Sequence, residues 1–483
     1  MAWKPLAAIV AGLGALLLAT AGRYGYHRDE LYFLACGQHL AWGYPDQPPL
    51  TPLLARLSHA LAPGSLTVFR LPALMAASVT TLTAGLLARE LGGRAYAQGL
   101  AALATGAGTF GLLSGHLLLT SSIDLCVWVV LTWLVVRVLR TGDERLWLVA
   151  GVVAGVGLWN KQLPVFLALG LLVGVLAGAP TRHLVTSRWL WAGAAVAAAM
   201  WAPVLLWQAR HGWPQLTLAG QIRAEYGAAG ERIGFFALQL VLFSLGATYL
   251  WMTGLVQLFR EPAWRGFRPL AWAWVLVLAV FILTAGQGYY PGGTYPALIA
   301  AGAVVVERRS RHRWYVVAAV ATSSLLLLPA SLPVLSPAAL GNSPLAGPGQ
   351  NQLETVGWPG LVDQVAAAYR SIPPAWRPAA AIFTSNYGEA GAVGLYGPAR
   401  GLPPAWSGHN AYGLWGPPPE NAGPVVVVWE DGSPDRRFTG CHLTAKVDTG
   451  VSNEETDRAA VYVCAGPVGG WRASWPRLTH LSA

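Results

Sequence analysis

Charged residues are scarce in this chain: only 11% of its 483 residues are Asp, Glu, Lys or Arg, whereas 54% are apolar. A typical soluble domain has about 25% charged residues. The apolar residues also fall in blocks of roughly 15 to 25 residues instead of at amphipathic spacing. This composition is typical of a polytopic α-helical membrane protein and argues against a soluble globular fold.

Acidic residues are outnumbered by basic ones, which gives the chain a net charge of +10. Residues 1–340 hold 23 Lys and Arg against 11 Asp and Glu, whereas residues 341–483 hold 9 against 11. The basic excess therefore lies in the apolar part, where membrane topology accounts for it. We expect a lipid bilayer as partner and no nucleic acid.

Several catalytic signatures are also missing from the sequence. The four cysteines have no zinc-ligand spacing, and neither a P-loop nor a Gly-x-Ser-x-Gly elbow occurs. No glycine-rich nucleotide fingerprint follows a strand-like segment. A soluble nucleotide-sugar donor is therefore unsupported.

The apolar blocks predict about eleven transmembrane helices. If the N-terminus is cytoplasmic, every inside loop carries arginines, as the positive-inside rule requires. The first loop, residues 23–67, then faces the outside of the cytoplasmic membrane. The predicted spans are 6–22, 68–88, 97–119, 124–140, 146–159, 162–179, 189–208, 233–259, 270–285, 293–306 and 314–333.

A cleaved signal peptide is the alternative for the first apolar run, because Ala19-Thr20-Ala21 has the small-x-small form of a cleavage site. An uncleaved span fits the alternation of basic loops better. We therefore expect the first apolar run to stay in the membrane as the first span of a multi-pass protein.

Composition changes after Pro333. Residues 334–350 are rich in Pro and Gly and predict a linker between a membrane domain, residues 1–333, and an extracytoplasmic α/β domain, residues 351–483. A helix is expected at 351–371 and strands at 379–384 and 425–429. Cys441 and Cys464 both fall in this part, and an oxidising compartment would allow a disulfide, but two cysteines leave free thiols equally open. Cys36 and Cys126 are expected to be unpaired apolar fillers.

Two neighbouring acids, Asp29 and Glu30, follow directly on the first apolar run. Ionisable residues at the edge of a membrane span are functional by default. We therefore look for the chemistry of this protein in the first loop.

The motifs of this loop and of later segments, taken in their order, resemble glycosyltransferase family 39, which includes the bacterial relatives of protein O-mannosyltransferases and the lipid A aminoarabinose transferases, within the GT-C class. The likeness extends over most of the chain. The motifs that carry it are His27-Arg28-Asp29-Glu30, Tyr44-Pro45-Asp46-Gln47-Pro48-Pro49, Arg70-Leu71-Pro72, Ile123-Asp124, Asn160-Lys161, Gly288-Tyr289-Tyr290, Tyr295-Pro296 and the segments 385–390 and 404–410.

This resemblance implies an outward-facing enzyme of the inner (cytoplasmic) membrane. It would take a sugar from a polyprenyl-phosphate carrier and place it, with inversion at the anomeric carbon, on a cell-envelope glycan, a lipid or a protein. An acceptor hydroxyl needs a base within hydrogen-bond reach, and Asp29 at the membrane face is the candidate. Glu30 would be a second acid that orients the acceptor or helps to hold a cation. A solvated ion pair of Asp29 with Arg28 or Arg23 is the alternative.

The polyprenyl phosphate that leaves needs positive charge, and the family has a lysine at the place of Lys161. A lysine that only snorkels to the interface is the alternative. Asp124 is expected to approach the first-loop site from the start of its span, unless it merely caps the helix. Tyr289 and Tyr290 would reach the phosphate or sugar, although aromatic residues also gather at membrane interfaces without a specific role.

The remaining pocket candidates are His27, Arg28, Tyr44, Asp46 and Gln47, in a loop that prolines hold rigid. A purely structural loop is the alternative. No cofactor is certain, and a divalent cation on Asp29, Glu30 and Asp124 is left open. The outer domain is expected to cover the site and select the acceptor through 386–389 and 407–410.

Two other classes of protein have many spans. A transporter or lipid flippase predicts two-fold hydropathy repeats with broken helices at matching positions, and the sequence shows none. A sugar- or lipid-binding scaffold that only anchors its outer domain would not need eleven spans. Neither the sugar nor the acceptor follows from the sequence.

Overall fold

A computed structural model describes residues 1–309, 311, 313–430, 432–452 and 456–482. The apolar part is almost entirely helical. Its α-helices are α1 (Trp3–Ala21), α2 (Arg28–Gln38), α3 (Leu50–Leu61), α4 (Leu66–Phe69), α5 (Leu71–Glu90), α6 (Ala95–Gly106), α7 (Thr109–His116), α8 (Thr120–Thr141), α9 (Leu146–Leu158), α10 (Pro164–Ala177), α11 (Arg188–Arg210), α12 (Pro214–Glu225), α13 (Ala229–Val241), α14 (Leu245–Arg260), α15 (Arg268–Thr284), α16 (Tyr295–Arg309) and α17 (Arg313–Ser331).

The C-terminal part mixes helices with short strands. The helices are α18 (Pro337–Gly341), α19 (Gln350–Leu353), α20 (Trp358–Ser371), α21 (Tyr387–Tyr396), α22 (Ala411–Leu414) and α23 (Trp471–Leu478). The strands are β1 (Ala381–Thr384), β2 (Ala405–Ser407), β3 (Val425–Glu430), β4 (Phe438–Thr439), β5 (His442–Lys446), β6 (Ala459–Cys464) and β7 (Gly466–Pro467). Short 3₁₀ helices lie at Arg182–Thr186, Pro262–Phe267, Tyr290–Thr294, Arg377–Ala379, Pro398–Arg400 and Pro434–Arg436.

Six helical segments of the described chain are long and apolar enough to cross a membrane, and a bent pair makes a seventh. The number eleven remains a prediction, because the other candidates, such as α9 and α10, are shorter. The six segments are Trp3–Ala21, Leu71–Glu90, Thr120–Thr141, Arg188–Arg210, Pro262–Thr284 and Arg313–Ser331.

The predicted span at 233–259 is not one straight helix, because the chain bends by 91° between α13 and α14. The hydroxyl of Ser244 accepts the N–H of Ala247 at the start of α14. Carbonyl oxygens just before the bend accept hydrogen bonds from the backbone N–H groups of Thr109 and Phe110 on α7. These bonds satisfy the groups that the break frees, as a lipid environment requires.

Small residues allow close packing in the helix bundle. A side chain at Gly151 of α9 would collide with the backbone of Gly193 in α11, and one at Gly254 of α14 would collide with that of Leu298 in α16. Helix α16 is buried along almost its whole length and lies among its neighbours in the main hydrophobic core. The bundle therefore gives a rigid base to the outer elements.

A five-stranded sheet in the order β2-β1-β3-β6-β5 organises the C-terminal part. Strand β1 is parallel to β2 and β3, whereas β6 is antiparallel to β3 and β5. Both predicted strands are present, as β1 and β3, and the expected helix is divided at Gly357, whose φ of +96° suits glycine. A disulfide joins Cys441 to Cys464, whereas Cys36 and Cys126 are free.

One hydrophobic cluster joins the first loop to the C-terminal part. It contains Leu31 and Phe33 of α2 together with Trp358 of α20, Val393 of α21 and Val426 of β3, all buried. The first loop and the sheet thus share a core.

Candidate active site

A cavity of about 720 Å³ opens where the helix bundle meets the first loop and the C-terminal part. Its walls come from segments that are far apart in the sequence. The polar residues that line it include His27, Arg28, Asp29, Tyr32, Asp46, Gln47, Lys161, Tyr226, Tyr289, Tyr290, Glu354, Tyr387, Asn410 and Ser482. Its volume lies in the range of small-molecule sites, roughly 300–1,000 Å³.

Asp29 lies in the first turn of α2 and keeps about 30% of its side chain exposed to this cavity. The ring of His27, the N-cap residue, accepts the backbone N–H of Asp29 at 3.2 Å and so fixes the start of the helix. The Tyr387 hydroxyl donates to Oδ1 of Asp29 at 2.8 Å. The guanidinium of Arg28 is more distant, at 3.6 Å from the same oxygen. The carboxylate is therefore oriented by a C-terminal tyrosine and still accessible.

Glu30 lies outside the cavity and is completely buried. It receives two hydrogen bonds from Arg70, at 2.9 and 2.7 Å, and the backbone N–H groups of His27 and Leu118, each at 2.9 Å. Arg70 is also buried and donates to the carbonyl oxygens of Ala21 and Gly25. Glu30 thus fastens α2 to the bundle and has no access to an acceptor or a cation in the cavity.

His27 and Glu354 form a buried pair behind Asp29, with Nε2 of His27 at 3.0 Å from Oε2 of Glu354. Burial lowers the pKa of His27, but the hydrogen bond to Glu354 and the negative charges of Asp29 and Glu354 together raise it above its usual value. In the same way, the contacts with His27 and Arg28 hold the pKa of Glu354 below its usual range despite its burial. Glu354 therefore stays ionised and anchors both basic residues.

Lys161 projects into the cavity from the turn between α9 and α10. Its Nζ donates to the Tyr289 hydroxyl at 3.2 Å and lies 5.0 and 4.8 Å from the ring centroids of Tyr289 and Tyr290. Burial raises the pKa of Tyr289, so its hydroxyl keeps its proton. The preceding Asn160 is fully buried and bonds to Thr51 and to the carbonyl of Thr120. The ammonium group is thus held in place beside aromatic faces, at a point where an anion can bind it.

Asp124 is buried in α8 and accepts a hydrogen bond from Nε1 of Trp128 at 3.1 Å. Its side chain does not line the cavity. Asp124 thus has a hydrogen bond within the bundle and lies close enough to Lys161 and Tyr289 to interact with them electrostatically.

The proline-rich loop contributes two of its three polar candidates to the cavity. Tyr44 does not line the cavity: its hydroxyl accepts the N–H of Ala41 and donates to the carbonyl oxygens of Cys36 and His39 at the end of α2. Asp46 accepts the Tyr32 hydroxyl at 2.7 Å, and burial raises the pKa of its carboxyl to about 7. Gln47 is only 3% exposed, and neither of its amide atoms has a hydrogen-bond partner among the described residues. A buried amide that faces a cavity without partners is suited to bind a ligand.

Sequence reasoning missed the residues that position Asp29 from a distance. Tyr387 lies 358 residues after Asp29, and Glu354 lies in the segment that predicts only a helix with an apolar side. Tyr387 falls within the family motif 385–390 and within the segment 386–389 that is expected to cover the site, but neither indicates its contact with Asp29. Arg70 also lies in a family motif, but no local pattern indicates its pairing with Glu30.

Metal ligands do not cluster in the described part of the chain. No group of three or more His, Cys, Asp and Glu side chains there has the geometry to hold an ion. Of the three acids named from the sequence, only Asp29 lines the cavity.

Residues 46–207 match the family model described as dolichyl-phosphate-mannose-protein mannosyltransferase. Among solved structures, ArnT from Cupriavidus metallidurans in the apo state matches with a TM-score of 0.61 and 14% identity, over 95% of this chain and 96% of that chain. The same protein bound to undecaprenyl phosphate matches with a TM-score of 0.59 and 15% identity, over 96% and 98%. No curated protein matches the sequence significantly.

Together these findings confirm the resemblance that the motifs predict. The chain is a multi-span membrane protein with a fold like that of ArnT, and its residues 46–207 are similar to the mannosyltransferase family.

Proposed function

We propose that this protein transfers a sugar from a polyprenyl-phosphate carrier to an acceptor hydroxyl, with Asp29 as general base. The observation that carries the proposal is that Asp29 and Lys161 open into one cavity, although they lie on different elements. One accessible carboxylate and one accessible ammonium group are what this reaction needs: the first takes the acceptor proton, and the second binds the departing phosphate.

In the proposed step the acceptor oxygen attacks the anomeric carbon and gives its proton to Oδ2 or Oδ1 of Asp29. The bond between the anomeric carbon and the phosphate oxygen breaks, and polyprenyl phosphate leaves with the bonding electrons. Lys161 and the Tyr289 hydroxyl stabilise the charge on this phosphate. Attack from the side opposite the phosphate inverts the anomeric carbon.

The cavity wall supports a lipid-borne donor. Leu218 and Ile222 of α12 and Leu238 and Val241 of α13 form an apolar side next to Lys161. A prenyl chain is compatible with such a wall, whereas the free amide of Gln47 and the carboxyl of Asp46 offer hydrogen bonds to sugar hydroxyls. Glu30 and Arg70 act only as positioning residues.

The proposal includes the membrane arrangement predicted from the sequence. Eleven spans would place the cavity at the outer face of the cytoplasmic membrane, with residues 351–483 as an extracytoplasmic domain after the 334–350 linker. The disulfide between Cys441 and Cys464 is consistent with an oxidising compartment on that side. Tyr387 and Glu354 make this domain part of the catalytic site and not only a cover that selects the acceptor.

The donor must be identified first, by mass spectrometry of the polyprenyl-phosphate sugar that accumulates when the gene is deleted. With that donor in proteoliposomes, Asp29→Asn should lower transfer by about 10²–10⁴-fold, because the amide keeps the shape but takes no proton. Donor binding should remain. The matched control is Asp363→Asn, an exposed acid on α20 whose partner Arg400 lies outside the cavity.

Transfer by Asp29→Asn within about threefold of the wild type would refute the assignment of the base. The same assay with a chelator tests the open question of a divalent cation. Loss of transfer after chelation, restored by one added ion, would give that ion a place in the mechanism.

A further inference from the structure

A second cavity, of about 440 Å³, lies on the other side of α2 from the active site. Helix α2 forms one wall of it with Leu31, Leu34 and Ala35, whereas the opposite wall comes from α21, β2 and the segment after α22. Like the active-site cavity, it therefore lies between the first loop and the C-terminal part, but different residues line it.

A single aromatic layer separates the two cavities. Tyr32 lines the active site, and its ring centroid lies 6.4 Å from that of Tyr412, which lines the second cavity. The Tyr32 hydroxyl also accepts the backbone N–H of Ala411 at 3.1 Å. A ligand in the second cavity would thus lie one side chain away from the residues that surround Asp29.

The lining of the second cavity is aromatic and uncharged. Trp406, Trp415 and Tyr412 provide rings, and His39 stacks on Trp415 with centroids 4.2 Å apart. Burial lowers the pKa of His39, so its ring is neutral at neutral pH. The ring atom Nδ1 of His59 is buried without a hydrogen-bond partner among the described residues. Within the described chain, no Asp, Glu, Lys or Arg contributes to this lining.

This combination is suited to a neutral sugar. The C–H face of a pyranose packs on aromatic rings, and its hydroxyls bind to a few neutral polar groups at the edge. A phosphate or a nucleotide would lack a positive partner here. A prenyl chain would leave the polar edge groups without hydrogen bonds.

We propose that the second cavity binds a neutral saccharide. This inference goes beyond the proposed function. The binding itself requires neither donor nor catalysis.

The test uses the full chain in nanodiscs and a panel of neutral di- to tetrasaccharides of glucose, mannose, galactose and arabinose. Saturation-transfer NMR detects binding, and calorimetry gives the affinity. The blocking variant is Gly394→Leu, because Gly394 of α21 lines the cavity and a Cβ there meets open space within 4 Å. The matched control is Gly360→Leu, an equally unobstructed glycine in α20 that lies outside the cavity.

Gly394→Leu should weaken binding of a panel saccharide by about tenfold or more, and Trp415→Ala should do the same, whereas Gly360→Leu binds like the wild type. Asp29→Asn should also bind normally. If Asp29→Asn kept full transfer, the proposed function would fail and this binding result would stand.

The inference is overturned if the wild type binds no saccharide of the panel, or if Gly394→Leu binds as tightly as the wild type. Binding of a short hydroxyl-rich peptide in a manner that Gly394→Leu blocks, with no saccharide bound, would also overturn it and make the cavity a peptide site.

Discussion

Replacing Glu30 by glutamine tests whether the second acid of the first loop is structural. The side chains of Glu30 and Arg70 are 0% and 1% exposed, and their contacts of 2.7 and 2.9 Å are those of a bidentate pair. Glutamine has the same shape but leaves the guanidinium without a counter-charge. Breaking a buried pair in this way costs about 3–5 kcal/mol. We expect the lower part of this range, because Arg70 keeps the carbonyl oxygens of Ala21 and Gly25.

The assay follows the melting of the purified protein with a thiol-reactive fluorescent dye. Cys36 is a suitable reporter because it is free, buried and located on α2 itself. Glu30→Gln should shift the apparent midpoint clearly downwards at a fixed scan rate, whereas Asp29→Asn should leave it near that of the wild type. The double variant Glu30→Gln/Arg70→Met should recover part of the loss, since both charges are then removed.

The opposite pattern would refute this reasoning. If Glu30→Gln melted like the wild type and yet lost transfer, Glu30 would act in the chemistry and not through Arg70. Equal losses of stability in the single and the double variant would show that the ion pair is not the source of the effect.

Two further predictions concern the active-site cavity. Lys161→Ala should weaken donor binding by about tenfold, or about 1.4 kcal/mol, and leave acceptor binding unchanged. If the variant in nanodiscs bound the donor as tightly as the wild type, Lys161 would be only a lysine that snorkels to the membrane interface. Burial raises the pKa of Asp46 from its usual value of about 4 to about 7. Between these two pH values the folded state keeps a proton on Asp46 that the unfolded state has lost. The free energy of unfolding should therefore fall as the pH rises from about 4 to about 7. Asp46→Asn keeps a hydrogen-bond acceptor for Tyr32 and should make the free energy of unfolding less dependent on pH in this range. If the slope between about pH 4 and pH 7 stayed the same, Asp46 would not be the cause of the pH dependence.

The sequence identifies the part of the site that is encoded locally. Asp29 and Lys161 stand out because a charge beside an apolar run has few neighbours to explain it, and the structure brings both to one cavity. The partners of Asp29, Tyr387 and Glu354, cannot be identified in this way, because nothing in the sequence around them indicates a contact with Asp29. Only the shared core of the first loop and the C-terminal part brings them to Asp29, and no local pattern contains that contact.

The bend between α13 and α14 shows the same limit for the fold. Residues 233–259 are apolar without a proline, so a continuous span is the natural expectation. The break is stable because backbone N–H groups of α7, more than a hundred residues earlier, bond to the carbonyl oxygens at the bend. Neither the periodicity nor the hydropathy of residues 233–259 indicates that distant backbone groups bond to this segment.

The contact between Tyr387 and Asp29 has a consequence for biosynthesis. The tyrosine follows the acid by 358 residues, and helices α3 to α20 lie between them. A nascent chain in which α1 and α2 have been synthesised thus carries Asp29 long before it carries the group that orients it. The contact forms only after the C-terminal part has been synthesised and has docked on the first loop. A partly synthesised chain therefore has Asp29 but not the contact that orients its carboxylate.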